Sequence, residues 1–211
     1  SIVGNKTVYT YRKALGEQLA IENKIIADVV VPIPDSGVSA AIGFSQKSKI
    51  PFELGIIRSH YVGRTFIEPS QSIRQFGVKL KHSVNRSCIE NKKVILIDDS
   101  IVRGTTASKI VKMVYEAGAK EVHLGISCPP ILHPDFYGID TPNYNQLIAY
   151  KSSLKEMTTL VGAKSLFFLS LNGTYKAMGC KKRNSNTPQF TDHCFTGEYP
   201  IDVTEILKLN R

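Results

Sequence analysis

Val94-Ile95-Leu96-Ile97-Asp98-Asp99-Ser100-Ile101-Val102-Arg103-Gly104-Thr105-Thr106 is the stretch of sequence that decides the fold. Its first four residues are apolar and mostly β-branched, which predicts a buried strand. The small and polar residues that follow predict a turn into a helix, capped by Thr105 or Thr106. The apolar stripe of that helix is expected at Ile110, Val111, Val114 and Ala117, with Gly118 closing it at C′.

The same alternation of strand and helix continues on both sides. Upstream, Val8, Tyr11, Leu15 and Leu19 recur at helical spacing and predict a helix from about Val8 to Glu22. Residues 28–32 predict a buried strand, 34–37 a turn, and Val38 to Phe44 the start of a helix. Phe52 to Ile57 and Val122 to Ile126 are further strand candidates. This order favours an α/β domain with a mostly parallel sheet flanked by helices.

The pattern is weaker after about residue 130. Met157 to Gly162 and Ser165 to Leu171 predict a helix and then a strand or a second helix. Cys180 to Phe190 is polar and basic, which is typical of a loop. We expect residues 1–211 to form one domain, and the initial Ser1 suggests that the sequence begins inside it.

The composition excludes several classes of protein. Apolar residues make up 42% and charged residues 21% of the 211 residues, which is ordinary for a globular chain. The sequence lacks an apolar run of membrane-spanning length and a secretory signal, so we expect no membrane partner and a cytoplasmic location. The four cysteines, at positions 88, 128, 180 and 194, contain no C-x-x-C pair and are expected to be free thiols.

The positive charge is concentrated in one segment. Residues 58–93 hold eight Lys or Arg and two Glu, and so carry six of the nine net positive charges. Such an excess suggests a nucleic acid, a membrane surface or a polyphosphate as partner, or else a solvated basic face. The segment from about residue 58 to residue 90 also contains Gly63, Pro69 and Gly77. Its length and composition predict a long flexible lid loop.

The paired acids Asp98 and Asp99 suggest the chemistry of the site. A buried strand delivers them to the carboxyl edge of the sheet, where open α/β folds bind ligands. Two carboxylates can accept hydrogen bonds from ribose hydroxyls and contact Mg²⁺. The helix that follows offers backbone N–H groups to a phosphate, and Gly104 lets the backbone turn closely around it. The alternative, a strand and a capped helix without a ligand, explains this combination less well.

These residues resemble the 5-phosphoribosyl-1-pyrophosphate (PRPP) motif of the type I phosphoribosyltransferases, and Ser100 to Thr106 resemble that of the glutamine PRPP amidotransferases in particular. Four further segments agree with this resemblance. Residues 31–37 resemble the pyrophosphate loop of the family and residues 61–71 its flexible catalytic loop, and residues 136–140 and 195–197 also resemble the family. The resemblance covers nearly the whole chain and implies the type I phosphoribosyltransferase fold.

The resemblance implies roles for individual residues. Mg²⁺ is expected at Ser36, Asp98 and Asp99. The lid is expected to place the catalytic cations Arg64, Lys79 and Lys81 over the departing pyrophosphate. PRPP is expected to contact Asp35, Ser36, Gly37, Val38, Asp98, Asp99, Ser100, Ile101, Val102, Arg103, Gly104, Thr105 and Thr106.

One departure from the family is informative. A branch of the family holds a [4Fe–4S] cluster through cysteines, and this chain has Asp135 and Thr191 at two of those positions. Only Cys194 remains, and one thiolate cannot hold such a cluster, so we expect no iron–sulfur cluster. His123, His133 and His193 show no ligand spacing and are expected to be structural or at the surface.

The resemblance implies an enzyme of purine biosynthesis, a pentosyltransferase that forms 5-phosphoribosylamine from PRPP and ammonia. In the full-length enzymes ammonia comes from glutamine through an N-terminal glutaminase half, which nothing in residues 1–211 matches. The resemblance further implies that the full-length enzyme is a homo-oligomer, that purine nucleotides inhibit it and that nucleic acid is not a partner. Three alternatives remain: a phosphoribosyltransferase acting on a purine or orotate, a non-catalytic PRPP-binding regulator, and a decayed remnant. Retention of Arg64 and Lys79 favours an enzyme.

Overall fold

A computed structural model describes residues 1–3, 5–59, 82–139, 141 and 143–203. The described strands are β1 (Ile2–Val3), β2 (Lys6–Thr7), β3 (Val29–Pro32), β4 (Ile56–Arg58), β5 (His82–Val84), β6 (Lys93–Asp98), β7 (Glu121–Ile126) and β8 (Ser165–Phe168). The described helices are α1 (Val8–Glu22), α2 (Val38–Ser48), α3 (Arg86–Ile89), α4 (Thr105–Glu116), α5 (Ile148–Lys151), α6 (Leu154–Val161), α7 (Leu171–Ala177) and α8 (His193–Thr196), and a 3₁₀ turn covers Tyr144–Gln146.

Four parallel strands in the order β3-β6-β7-β8 form the central sheet. In its register Pro32 lies opposite Ile97, and Asp98 opposite Ile126, so the carboxyl ends of β3, β6 and β7 meet at one edge. The parallel sheet expected from the sequence is therefore confirmed. Two small antiparallel pairs, β1 with β2 and β4 with β5, lie outside it.

Each face of the sheet is covered by its own apolar cluster. Val30, Ile95 and Ile97 pack with α1 and α2 on one face. Val94 and Leu96 project to the other face, where the apolar sides of α4 and α6 cover them. Strands buried on both faces explain the continuous apolar run of residues 94–97.

The structure corrects four local expectations. Phe52 makes only an isolated bridge to Val30, and the regular strand begins at Ile56. Part of the expected lid is ordered, because His82–Val84 pairs with β4 and Arg86–Ile89 is helical. Residues 60–81 lie outside the described residues.

The other two corrections concern helices. Gly104 caps α4, not either threonine that follows it. The buried residues of α1 are Gly16, Leu19 and Ala20, so only Leu19 of the expected stripe is fully buried. No helix in the described part of the chain is both long and apolar enough to cross a bilayer.

Candidate functional site

Asp98 is the last residue of β6, and its carboxylate lies at the carboxyl edge of the central sheet. Its Oδ1 accepts a hydrogen bond from the backbone N–H of Asp99 at 2.8 Å and a longer one, 3.5 Å, from the Ser36 hydroxyl. Its carbonyl oxygen accepts from both the N–H and the hydroxyl of Ser127. The three expected metal residues, Ser36, Asp98 and Asp99, therefore lie together.

The pKa of Asp98 depends on its burial and on its acidic neighbour. Burial, followed by the negative charge of Asp99, raises the pKa of Asp98 to about 7. Two carboxylates this close resist simultaneous ionisation, and a divalent cation between them would relieve the repulsion. The hard oxygen donors of Asp98, Asp99 and Ser36 fit Mg²⁺ by their chemistry.

The turn at residues 34–37 packs directly on the end of β6. Ile33 N–H donates to Ile97 O at 2.8 Å. A Cβ at Gly37 would lie 2.3 Å from the same carbonyl oxygen, so only glycine permits this approach. Among the four expected pyrophosphate donors, Gly37 N–H donates to Ile33 O, and Val38 N–H donates at 3.4 Å to Asp35 O. Two of the four N–H groups thus point into the turn itself.

The expected phosphate loop, residues 100–106, leads into the N-terminus of α4. Gly104 adopts φ +76°, a left-handed conformation that glycine tolerates best. Its missing side chain lets Ile148 pack closely, since a Cβ at Gly104 would lie 2.7 Å from Ile148 Cδ1. Thr105 and Thr106 are both exposed in this turn, whereas the Ser100 hydroxyl donates to Asp99 Oδ1 at 3.2 Å.

Three members of this loop have structural partners instead. Ile101 is buried in the core beside Ala107. Arg103 Nε donates to Gln146 Oε1 at 2.7 Å, and Val102 O accepts from Ile148 N–H. These contacts fix the path of the loop, so Ile101 and Arg103 shape it rather than point their side chains to a common centre.

Arg12 and Arg58 also reach this edge, and neither was predicted to be a site residue. Arg12 of α1 lies 3.9 Å from Asp99 Oδ2 and donates to Ser36 O at 3.4 Å. Arg58 Nη1 lies 2.6 Å from Asp35 Oδ2. Arg58 had been counted in the basic segment, but no local motif marks Arg12.

Close helix packing explains the position of Arg12. A Cβ at Gly16 would lie 1.9 Å from Ala40 O, and one at Gly43 would lie 2.0 Å from Lys13 O. The backbones of α1 and α2 therefore touch, and Arg12 comes to lie over the turn before α2. The expected lid cations Arg64, Lys79 and Lys81 are outside the described residues.

A second polar cluster lies where the loop after β7 meets α8. His193 Nε2 lies 2.7 Å from Asp135 Oδ2, and Cys194 Sγ lies 3.8 Å from the same oxygen. Burial alone would raise the pKa of Asp135, but hydrogen bonds from Ile139 N–H, Tyr137 N–H and His193 lower it. Thr191, at another expected cluster position, is exposed. One thiol, one imidazole and one carboxylate do not fit a [4Fe–4S] cluster, whose absence stays a prediction.

Comparisons with known proteins agree with this architecture. The family described as "Phosphoribosyl transferase domain" matches residues 14–135. An amidophosphoribosyltransferase of Rhizobium etli is 60% identical over 206 residues, covering 97% of this chain and 42% of the relative. One from Bacillus subtilis is 52% identical over 196 residues, covering 93% of this chain and 41% of the relative.

A solved structure, "glutamine phosphoribosylpyrophosphate (PRPP) amidotransferase from B. subtilis complexed with ADP and GMP", superposes with a TM-score of 0.84 and 51% identity. It covers 94% of this chain and 44% of that one. Another, titled "structure of the allosteric regulatory enzyme of purine biosynthesis", gives a TM-score of 0.87 and 49% identity over 100% of this chain and 45% of that one. The chain therefore spans less than half the length of these relatives. The chain belongs to the phosphoribosyltransferase domain family and matches the part of the amidophosphoribosyltransferases that carries this domain.

Proposed function

We propose that this chain binds PRPP with Mg²⁺ and forms 5-phosphoribosylamine from PRPP and ammonia. The observation that carries the proposal is the meeting of Asp98, Asp99 and the 34–37 turn with the open N-terminus of α4. One sheet edge thus offers acceptors for ribose hydroxyls, oxygens for a divalent cation and N–H groups for phosphate. Sequence identity of 60% and 52% to two amidophosphoribosyltransferases supports this choice over a purine or orotate phosphoribosyltransferase.

In the proposed reaction ammonia forms a bond to C1 of the ribose while the bond from C1 to pyrophosphate breaks. The electron pair of the broken bond leaves with pyrophosphate, and a proton from nitrogen passes to pyrophosphate or water. Bound Mg²⁺, held by Ser36, Asp98 and Asp99, would supply positive charge against the leaving group.

The protein's own groups mainly position the substrate. The N-terminus of α4 and the hydroxyls of Ser100, Thr105 and Thr106 would hold the 5-phosphate, while the acid pair would orient the ribose. Arg64, Lys79 and Lys81 of the expected lid would neutralise pyrophosphate and exclude water. Ammonia is already a good nucleophile, so no general base is assigned.

We propose further properties alongside this activity. The B. subtilis enzyme was solved with ADP and GMP. We propose that purine nucleotides also bind this chain as inhibitors. We further propose a cytoplasmic enzyme that uses ammonia released from glutamine and works as a homo-oligomer at full length.

The test is formation of phosphoribosylamine by the purified 211-residue chain with PRPP and Mg²⁺. We expect either weak turnover or none with ammonium at alkaline pH, and none with glutamine as sole nitrogen source. Tight PRPP binding without turnover under any of these conditions would favour the non-catalytic regulator. Glutamine-supported turnover by this chain alone would contradict the expectation that a separate glutaminase half supplies the ammonia.

A further inference from the structure

The cluster of Asp135, His193 and Cys194 has a composition that the proposed reaction does not use. Asp135 lies in the loop after β7, and the other two residues are consecutive in α8. Consecutive side chains usually point apart, yet here both reach the same carboxylate oxygen. One oxygen, one nitrogen and one sulfur atom of these residues all lie within 4.8 Å of one another. We propose that Asp135, His193 and Cys194 form a mononuclear site for a divalent cation of the zinc type.

The distances are close to those that such an ion requires. Zn²⁺ binds oxygen and nitrogen at about 2.0–2.2 Å and sulfur at about 2.3 Å, so tetrahedral ligands lie about 3.4–3.6 Å apart. The observed separation of 3.8 Å between Cys194 Sγ and Asp135 Oδ2 is near this value. The 2.7 Å between His193 Nε2 and the same oxygen would have to open by about 0.7 Å.

The surroundings already orient the ligands. Asp135 Oδ1 accepts hydrogen bonds from Tyr137 N–H at 2.8 Å and Ile139 N–H at 2.9 Å, which turns Oδ2 towards α8. The rings of Tyr137 and Tyr199 pack against the His193 imidazole with centroids 5.0 and 5.2 Å away. Hydrogen bonds to a ligating carboxylate, such as those to Asp135 Oδ1, fix its orientation.

The backbone of α8 is also held against the loop. The carbonyl oxygen of Cys194 accepts from the N–H groups of both Leu132 and His133. This places the thiol and the carboxylate in fixed relation before any ion arrives. Little ordering would therefore be needed on binding.

Charge and ligand type point to zinc over magnesium. A carboxylate and a thiolate balance a divalent cation, which suits a cluster where Asp135 and His193 are buried. Thiolate and imidazole are ligands that Zn²⁺ accepts and Mg²⁺ avoids. On binding, the thiol proton of Cys194 passes to solvent, a sulfur–metal bond forms, and water completes the coordination. The acid pair at the sheet edge contains only oxygen donors, so the two sites select different ions.

Cobalt(II) titration of chelator-treated protein tests the site, because cobalt bound to a thiolate gives a charge-transfer band that oxygen ligands do not. We expect this band in the wild type, its displacement by zinc, and its loss in Cys194→Ser. Cys88→Ser is the matched control, since Cys88 Sγ also lies 3.9 Å from a carboxylate oxygen, Oε2 of Glu53, outside the cluster. Absence of the band in the wild type, or its persistence in Cys194→Ser, would overturn the proposal.

A second measurement does not depend on a folded variant. Iodoacetamide labelling of the wild type, followed by peptide mass spectrometry, reports the reactivity of each cysteine. Zinc should slow alkylation of Cys194 several-fold and leave that of Cys88 unchanged. Equal labelling of Cys194 with and without zinc would show that Asp135 and His193 form only a metal-free hydrogen-bonded pair.

Discussion

Arg58 Nη1 lies 2.6 Å from Asp35 Oδ2, so the segment that leads into the expected lid is tied to the turn on which pyrophosphate should rest. The pair is half-exposed, with 33% of the Arg58 and 54% of the Asp35 side chain accessible. Such pairs contribute less than about 1 kcal/mol to stability. The contact is therefore more important for the charge of the turn than for the fold.

Replacing Arg58 by Ala should weaken PRPP binding with little effect on unfolding. Without its partner, the Asp35 carboxylate would repel the pyrophosphate, and we expect about a five- to tenfold higher Kd, close to 1 kcal/mol. Adding Asp35→Asn should restore part of the affinity. Arg86→Ala, which breaks an exposed pair with Glu90, is the control. An unchanged Kd for Arg58→Ala, measured by calorimetry, would refute this role.

The raised pKa of Asp98 predicts an unusual pH dependence of stability. The folded state holds the Asp98 proton up to about pH 7, whereas the unfolded state releases it near 3.8. The folded state therefore binds more protons between these values, and without Mg²⁺ the free energy of unfolding should fall as pH rises through this window.

Asp98→Asn should remove this pH-dependent fall in the free energy of unfolding. Above about pH 7, and without Mg²⁺, we expect the variant to be more stable than wild type by roughly 1–3 kcal/mol. Mg²⁺ should stabilise only the wild type. Urea unfolding across the window measures this, with the exposed Glu116→Gln as a control. Parallel pH profiles for wild type and Asp98→Asn would mean that the acid pair is not strained.

Gly37→Ala should disrupt the turn, because its Cβ would lie 2.3 Å from Ile97 O and 2.8 Å from Ile33 O. Both neighbours are backbone atoms, which cannot move without shifting the end of β6. We expect the variant to lose roughly 2–4 kcal/mol of stability and also to lose PRPP binding. Ser39→Ala, in the first turn of α2, should change neither. Thermal unfolding and calorimetry measure both effects, and normal PRPP affinity in Gly37→Ala would contradict the role of the turn.

The sequence also predicts that no iron–sulfur cluster is bound. Asp135 is hydrogen-bonded to His193, and Thr191 is exposed, so neither of these two positions offers a thiol. Anaerobically purified protein should be colourless and contain no stoichiometric iron. Bound zinc would leave it colourless too. A broad visible absorbance with bound iron would show the prediction to be wrong.

The central strands and the sheet edge were predictable from the sequence because their signals are local. Four apolar residues before Asp98 define a doubly buried strand, and Gly104 marks the turn into a helix. Gly118 follows α4 with φ +97°, as expected for C′. The predicted cap of α4 was wrong, because the cap is Gly104 in a left-handed conformation and no side chain accepts a capping hydrogen bond there.

The contacts of Arg12 and His193 could not be predicted from local sequence signals. Arg12 reaches Asp99 only because Gly16 and Gly43 let two helices touch, and that approach depends on residues far apart in sequence. Similarly, His193 showed no ligand spacing, yet folding brings it across 58 positions to Asp135. Long-range packing, which has no periodicity, decides such neighbours.

The central claim is that Asp98 and Asp99 form a Mg²⁺-dependent PRPP site at the carboxyl edge of β6. Calorimetry of the purified chain with PRPP, with and without Mg²⁺, tests it most directly. We expect tight binding only with Mg²⁺, its loss in Asp98→Asn combined with Asp99→Asn, and wild-type binding in Glu116→Gln. If the double variant binds PRPP as tightly as the wild type, the site is elsewhere and the account is wrong.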